Sequence, residues 1–102
     1  MTPLLSQHID DIAALCKQHR VKRLDVFGSA VGDEFDPQRS DFDFIVEFEP
    51  MRAGEYADHY FALLDALQSL LGRRVDLVSN LAEQNQYFRA DAERSRVMLY
   101  AA

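Results

Sequence analysis

The sequence predicts an α/β domain of the α+β kind: a small mixed β-sheet with helices packed mainly on one face. Three observations carry this. The segment Asp41–Phe48 alternates strictly between apolar and other residues, as a strand with one buried face requires. The segment Glu55–Leu71 repeats its apolar residues at helical spacing. Around them, elements of the two kinds follow in the order helix, strand, loop, strand, helix, strand, helix, which suits a two-layer domain.

Taking the elements in order, Thr2 caps a first helix with Pro3 at its first position, and Leu5, Ile9, Ile12 and Cys16 share one face up to a predicted end near His19. Cys16 lies within that apolar stripe and is expected in the core; a lone cysteine has no internal disulfide partner, and no Cys/His cluster has zinc-ligand spacing. Lys22–Phe27 is a short strand with Leu24 and Val26 on one face, ending at Gly28-Ser29. From Ala30 to Ser40, Gly32, Asp33, Asp36, Pro37 and Ser40 are turn formers, so a loop is expected, with at most a helical turn at its start.

In the strand Asp41–Phe48, Phe42, Phe44, Val46 and Phe48 point one way and Asp41, Asp43, Ile45 and Glu47 the other. The helix Glu55–Leu71 lines up Tyr56, Tyr60, Leu63, Leu64, Leu67, Leu70 and Leu71, with Gly72 as its C-terminal cap. Its aromatic residues, Phe61 included, are expected to pack in the core rather than to line a partner groove. Arg74–Ser79 forms a third strand, with Val75 and Leu77 facing opposite to Asp76 and Val78. A last helix runs from about Ala82 to Glu93, followed by a short apolar end, Val97–Tyr100. No repeat, low-complexity tract or linker interrupts the chain, so residues 1–102 are expected to form one domain, large enough to fold without disulfides or a structural metal.

Composition narrows the function. The start of the chain lacks the basic and long apolar segments of a signal peptide, and no stretch approaches membrane-spanning length, so a cytoplasmic protein with no membrane association is expected. Seventeen acidic against eleven basic side chains give a formal net charge of -6. That charge opposes sequence-independent capture of nucleic acid, and no stable nucleic-acid binding is expected. A nucleotide escorted by magnesium is compatible with it, because a divalent ion inverts the local electrostatics of an acidic pocket.

Asp41 and Asp43 project from one face of a strand with alpha carbons about 6.5 to 7 Å apart. Such a pair can converge on shared metal ions, and nucleotidyl transfer uses two magnesium ions about 4 Å apart to hold the attacking oxygen and the leaving group. Alternating acids on an edge strand are also common as a solvated face, so the pair gains meaning from its neighbours. Upstream, Gly28-Ser29 ends a strand, where a glycine lets backbone N–H groups and a hydroxyl approach a phosphate. Downstream, Asp76 sits within the apolar strand Arg74–Ser79. Three acids from two strands suggest a metal cradle.

The run GSAVGDEFDPQRSDFDF followed by RVDLV resembles the minimal nucleotidyltransferases of the polymerase-beta-like superfamily over nearly the whole chain. The resemblance implies that Gly28 and Ser29 hold a triphosphate, that Asp41 and Asp43 bind two magnesium ions, and that Asp76 completes the site and can activate an acceptor hydroxyl. It further implies an antitoxin that transfers AMP from ATP to a tyrosine of a partner HEPN ribonuclease toxin. Many relatives carry an arginine directly after Gly-Ser, where this chain has Ala30, and Arg39 or Arg23 is the expected substitute. Two alternatives stand beside this reading: an antitoxin that neutralises its partner by binding alone, and a small-molecule transferase with a helper subunit. His8, His19 and His59 share no motif, and Arg89, Arg94 and Arg96 are left between solvent, an acidic partner and the phosphates.

Overall fold

The computed structural model describes residues 1–32, 36 and 41–102. Strands β1 (Val21–Phe27), β2 (Phe42–Phe48), β3 (Val75–Val78) and β4 (Val97–Ala101) form one sheet in the order β3-β2-β1-β4. β1 runs antiparallel to both β2 and β4, while β2 and β3 are parallel. Parallel neighbours cannot be joined by a tight turn. The helix α3 (Ala53–Leu71) supplies the crossover and ends at Gly72, whose φ of 65° is the left-handed conformation glycine adopts most readily.

The faces of the strands are as the alternation predicts. Leu24, Val26, Phe42, Phe44, Val46, Val75 and Leu77 join Leu5, Ile12, Cys16, Leu63 and Leu67 in the main core. Phe42 and Phe44 are fully buried and stack with ring centroids 6.1 Å apart. Burial raises the Cys16 thiol to about 12, which keeps it protonated and suits a packing role. On the opposite face, Phe27, Ile45 and Val78 meet Ala92 of the last helix in a smaller cluster.

Several boundaries differ from expectation. The first helix is two, α1 (Pro3–Gln7) and α2 (Ile9–Gln18), because His8 leaves helical geometry at φ -111° and ψ 14°. The third strand stops at Val78, one residue before Ser79. Residues Leu81–Glu83 form a 3₁₀ turn, and α4 (Gln86–Ser95) begins only where the Asn85 side chain caps the Phe88 N–H at 2.9 Å. The apolar C-terminal end is the edge strand β4. Since β3 and β4 lie at opposite edges, the connection through α4 has to cross the sheet, on the face that carries Asp43 and Asp76. Phe61 is 63% exposed and not a core residue, whereas Tyr60 packs against the core and donates its hydroxyl to the Leu77 carbonyl oxygen at 2.5 Å.

Candidate nucleotidyl-transfer site

β1 delivers the chain to a 3₁₀ turn, Gly28–Ala30, at the end of the sheet where β2 begins. The turn needs glycine at its first position for two reasons. Gly28 has φ 75°, a region that costs other residues roughly 1 to 2 kcal/mol. In addition, a Cβ there would lie 2.9 Å from Asp43 Oδ2. The glycine thus makes room for the carboxylate. Ser29 is half-buried beside it, and Ala30 is fully buried in the main core, so an arginine at position 30 would have to displace apolar packing.

Asp43 is paired in register with Asp76 on the parallel neighbour β3, at the usual strand spacing of about 4.8 Å. Asp41 precedes β2 by one residue and is ion-paired with Arg74, Nε to Oδ1 3.4 Å. Asp43 and Asp41 are half-buried and Asp76 is exposed. The electrostatics respond to this crowding: burial, then the charges of Asp76 and Asp41, raise the Asp43 carboxyl to about 6. The charges of Asp41 and Asp76 therefore reach Asp43 through space.

Among the described residues, no three His, Cys, Asp or Glu side chains converge as a preformed ion cage. Asp41 is ion-paired with Arg74. The donor set nevertheless suits a hard cation: magnesium normally takes one or two protein carboxylates and completes its shell with waters and substrate phosphates. Asp43 and Asp76 are the pair that adjoin in register, and a cation arriving with a triphosphate would compete with Arg74 for Asp41.

The Gly28–Ser29 turn is anchored by a contact that sequence reasoning missed. The Gly28 N–H donates to Ser95 Oγ at 2.9 Å, and the Ser95 hydroxyl donates to the Asp91 carbonyl oxygen at 3.2 Å. The end of α4 thereby grips the turn. Beside it, fully buried Asp25 accepts two hydrogen bonds from Arg23, at 2.9 and 3.0 Å, and one from Arg96 at 2.5 Å. Arg96 also pairs with Glu93. Burial pushes the Asp25 carboxyl up, but the guanidinium hydrogen bonds and charges outweigh it and leave it below its ordinary value. Arg23 is thus committed to Asp25, which argues against it as the substitute for the missing arginine; Arg39, the other candidate, lies outside the described residues. An acid between Leu24 and Val26 was the available sign of this network, but its partners on β1 itself and after α4 are set by tertiary structure.

The family model of the nucleotidyltransferase domain matches residues 9–99. The chain belongs to this family. Two proteins of Methanocaldococcus jannaschii, each named "putative protein adenylyltransferase", are similar to it: one is 35% identical over 81% of either chain, the other 29% identical over 78% of either chain. Among solved structures, a "putative minimal nucleotidyltransferase" superposes with a TM-score of 0.71 at 31% identity, covering 91% of this chain and 90% of that one. A toxin–antitoxin solved with AMP-PNP shares the fold, with a TM-score of 0.66 at 21% identity over 92% of this chain and 73% of that one. The mixed four-stranded sheet is therefore a nucleotidyltransferase fold. No helix among the described residues is long and apolar enough to cross a membrane.

The closeness of Gly28 to Asp43 gives a direct test of the turn. Gly28→Ala should destabilise the protein by about 1 to 2 kcal/mol through the backbone conformation alone. It should also push the Asp43 carboxylate aside, so that if magnesium and ATP bind beside Asp43 the rise in melting temperature they produce should be much smaller than in wild type. Urea unfolding and ligand-dependent melts measure the two effects separately.

Proposed function

We propose that this family member transfers AMP from ATP to a tyrosine hydroxyl of a partner protein, in the manner of an antitoxin silencing a HEPN ribonuclease toxin, with magnesium as the metal. The observation that carries the proposal is the position of Asp43, which lies between the glycine of the turn and Asp76 on the adjacent strand. The names of the Methanocaldococcus jannaschii relatives, and the toxin–antitoxin fold neighbour with its bound ATP analogue, support the same direction.

On this reading Gly28 and Ser29 receive the β- and γ-phosphates, and Ser29 contributes a hydroxyl hydrogen bond rather than a nucleophile, since no histidine adjoins it in the motif to serve as its base. Asp41 and Asp43 would hold the cation, with Asp76 completing its site. Bound magnesium supplies charge neutralisation of the triphosphate and orients it for in-line displacement. Asp76, exposed on the open side, accepts the proton of the acceptor hydroxyl. The acceptor oxygen forms a bond to the α-phosphorus as the bond from that phosphorus to the bridging oxygen breaks, and pyrophosphate leaves.

Intact-mass spectrometry of the purified protein encoded beside this chain, incubated with it, magnesium and ATP, tests the proposal. An added AMP mass on the partner, with release of pyrophosphate, is the expected result. A partner that is neutralised with unchanged mass and no ATP consumption would establish binding alone as the mode of action. An adduct on a small molecule in place of the protein would favour the helper-subunit transferase.

A further inference from the structure

The sheet face that carries Asp43 continues into a cavity. Two residues along β2 on that face, Ile45 contributes to the lining of a cavity of about 700 Å³, together with Leu81, Ala82 and Ala90 and the polar Gln86 and Arg89. Four other charged residues line it, each with a partner of opposite sign: Arg23 and Arg96 are committed to buried Asp25, Glu93 pairs with Arg96, and Glu47 pairs with Lys22. Arg89 differs. Among the described residues it has no carboxylate within ion-pair distance, and it donates a long hydrogen bond to the Ala82 carbonyl oxygen at 3.5 Å. A chain with a net charge of -6 thus presents, at a cavity of mixed lining beside its acidic site, a guanidinium with no carboxylate in ion-pair contact among the described residues.

We propose that this cavity docks an acidic segment of the acceptor protein, with a carboxylate of that segment bound by Arg89. The proposal deepens the transfer reading and rests on it for the role of the docked segment. Charge selects the occupant. The phosphates of a nucleotide belong at the Gly28 turn, which meets α4 at Ser95. Arg89 stands six residues earlier on that helix, about 9 Å along its axis, which sets it on the cavity rather than at the turn. The apolar lining from Ile45 to Ala90 suits the body of an aromatic acceptor side chain whose hydroxyl points toward the carboxylates, since Ile45 and Asp43 are about 7 Å apart on one strand face. Tyr87, next to Gln86 and 76% exposed, adds the kind of aromatic surface that recurs at protein interfaces.

The test is a titration of isotope-labelled protein, followed by backbone amide NMR, without ATP or magnesium. The probes are two twelve-residue peptides that differ only in the residues flanking a central tyrosine, two glutamates in one and two glutamines in the other. The expected result is at least about tenfold tighter binding of the glutamate peptide, the size of a single charge-assisted contact, with shifts at Ile45, Leu81, Arg89 and Ala90. Arg89→Gln, an exposed substitution, should erase that preference, and higher salt should narrow it. Equal binding of the two peptides, no binding of either, or a preference that survives Arg89→Gln would overturn the proposal. So would a parallel titration in which AMP alone shifts the cavity amides and the glutamate peptide does not. Because no transfer is measured, failure of the AMP-transfer experiment and failure of this one are independent results.

Discussion

Asp43→Asn should reduce AMP transfer by about a thousandfold or more, while making the ligand-free protein more stable. The first effect follows from removal of the carboxylate proposed as the shared metal ligand, where a bound cation contributes several kcal/mol of charge stabilisation and each 1.36 kcal/mol is tenfold in rate. The second follows from the Asp43 carboxyl being raised to about 6 by burial and by the charges of Asp76 and Asp41. A carboxyl that binds its proton more tightly in the folded state favours folding at low pH, and that contribution is lost as pH rises through the folded value. At pH 7.5 the ionised group therefore opposes folding, by about 1 to 2 kcal/mol after allowance for its partial exposure. Asparagine removes the charge at similar size. The stability gap between variant and wild type should be largest above pH 7 and close below about pH 4, as followed by urea unfolding across that range. A variant less stable than wild type at pH 7.5 would show that Asp43 is not electrostatically crowded.

Asp25→Asn should have the largest effect on folding, a loss of about 3 to 5 kcal/mol, because it breaks a buried ion pair from the inside. The asparagine would accept fewer hydrogen bonds and turn an N–H₂ toward two guanidinium groups, in a position with 0% exposure. For a domain of this length each kcal/mol shifts the melting temperature by roughly 4 to 8 °C. The pH dependence has the opposite sign to that of Asp43. The Asp25 carboxyl is held low, so its contribution is present above the ordinary carboxyl value and is lost as pH falls through the folded one. The difference between wild type and Asp25→Asn should therefore shrink in acid, as measured by urea unfolding at pH 7 and pH 3. Since Arg96 directly follows Ser95, whose hydroxyl receives the Gly28 N–H, a milder variant such as Arg96→Lys should also loosen the Gly28–Ser29 turn.

The parts of the fold legible in the sequence are those whose periodicity is enforced by one buried face. β2 and α3 are of this kind: Phe42, Phe44 and Val46, and Leu63, Leu67 and Leu71, all face the main core. The placement of Asp43 and Asp76 on one sheet face was legible for the same reason, since each lies opposite a run of core residues. Less legible were the elements fixed by long-range contacts. β4 is an edge strand with Val97 and Met98 exposed, so its sequence shows no alternation. The start of α4 depends on a local cap at Asn85 rather than on the apolar residues before it. The break at His8 leaves the helical spacing of Leu5, Ile12 and Cys16 intact, and spacing alone could not reveal it. The guanidinium pair on Asp25 joins residues 71 positions apart in one case, a distance no local pattern spans.

Asp41, Asp43 and Asp76 are proposed to act as one nucleotide-dependent metal site, although only Asp43 and Asp76 adjoin in register and Asp41 is paired with Arg74. The most direct measurement is the rise in melting temperature that magnesium with ATP produces in wild type and in Asp41→Asn, Asp43→Asn and Asp76→Asn. A ligand that binds only the folded state at a hundred times its dissociation constant stabilises it by about 2.7 kcal/mol, which is readily seen in a domain of this size. The expected result is a clear, concentration-dependent rise in wild type and a much smaller one in each variant. Equal rises in all four proteins would mean that the acids are a solvated strand face, and would contradict the account.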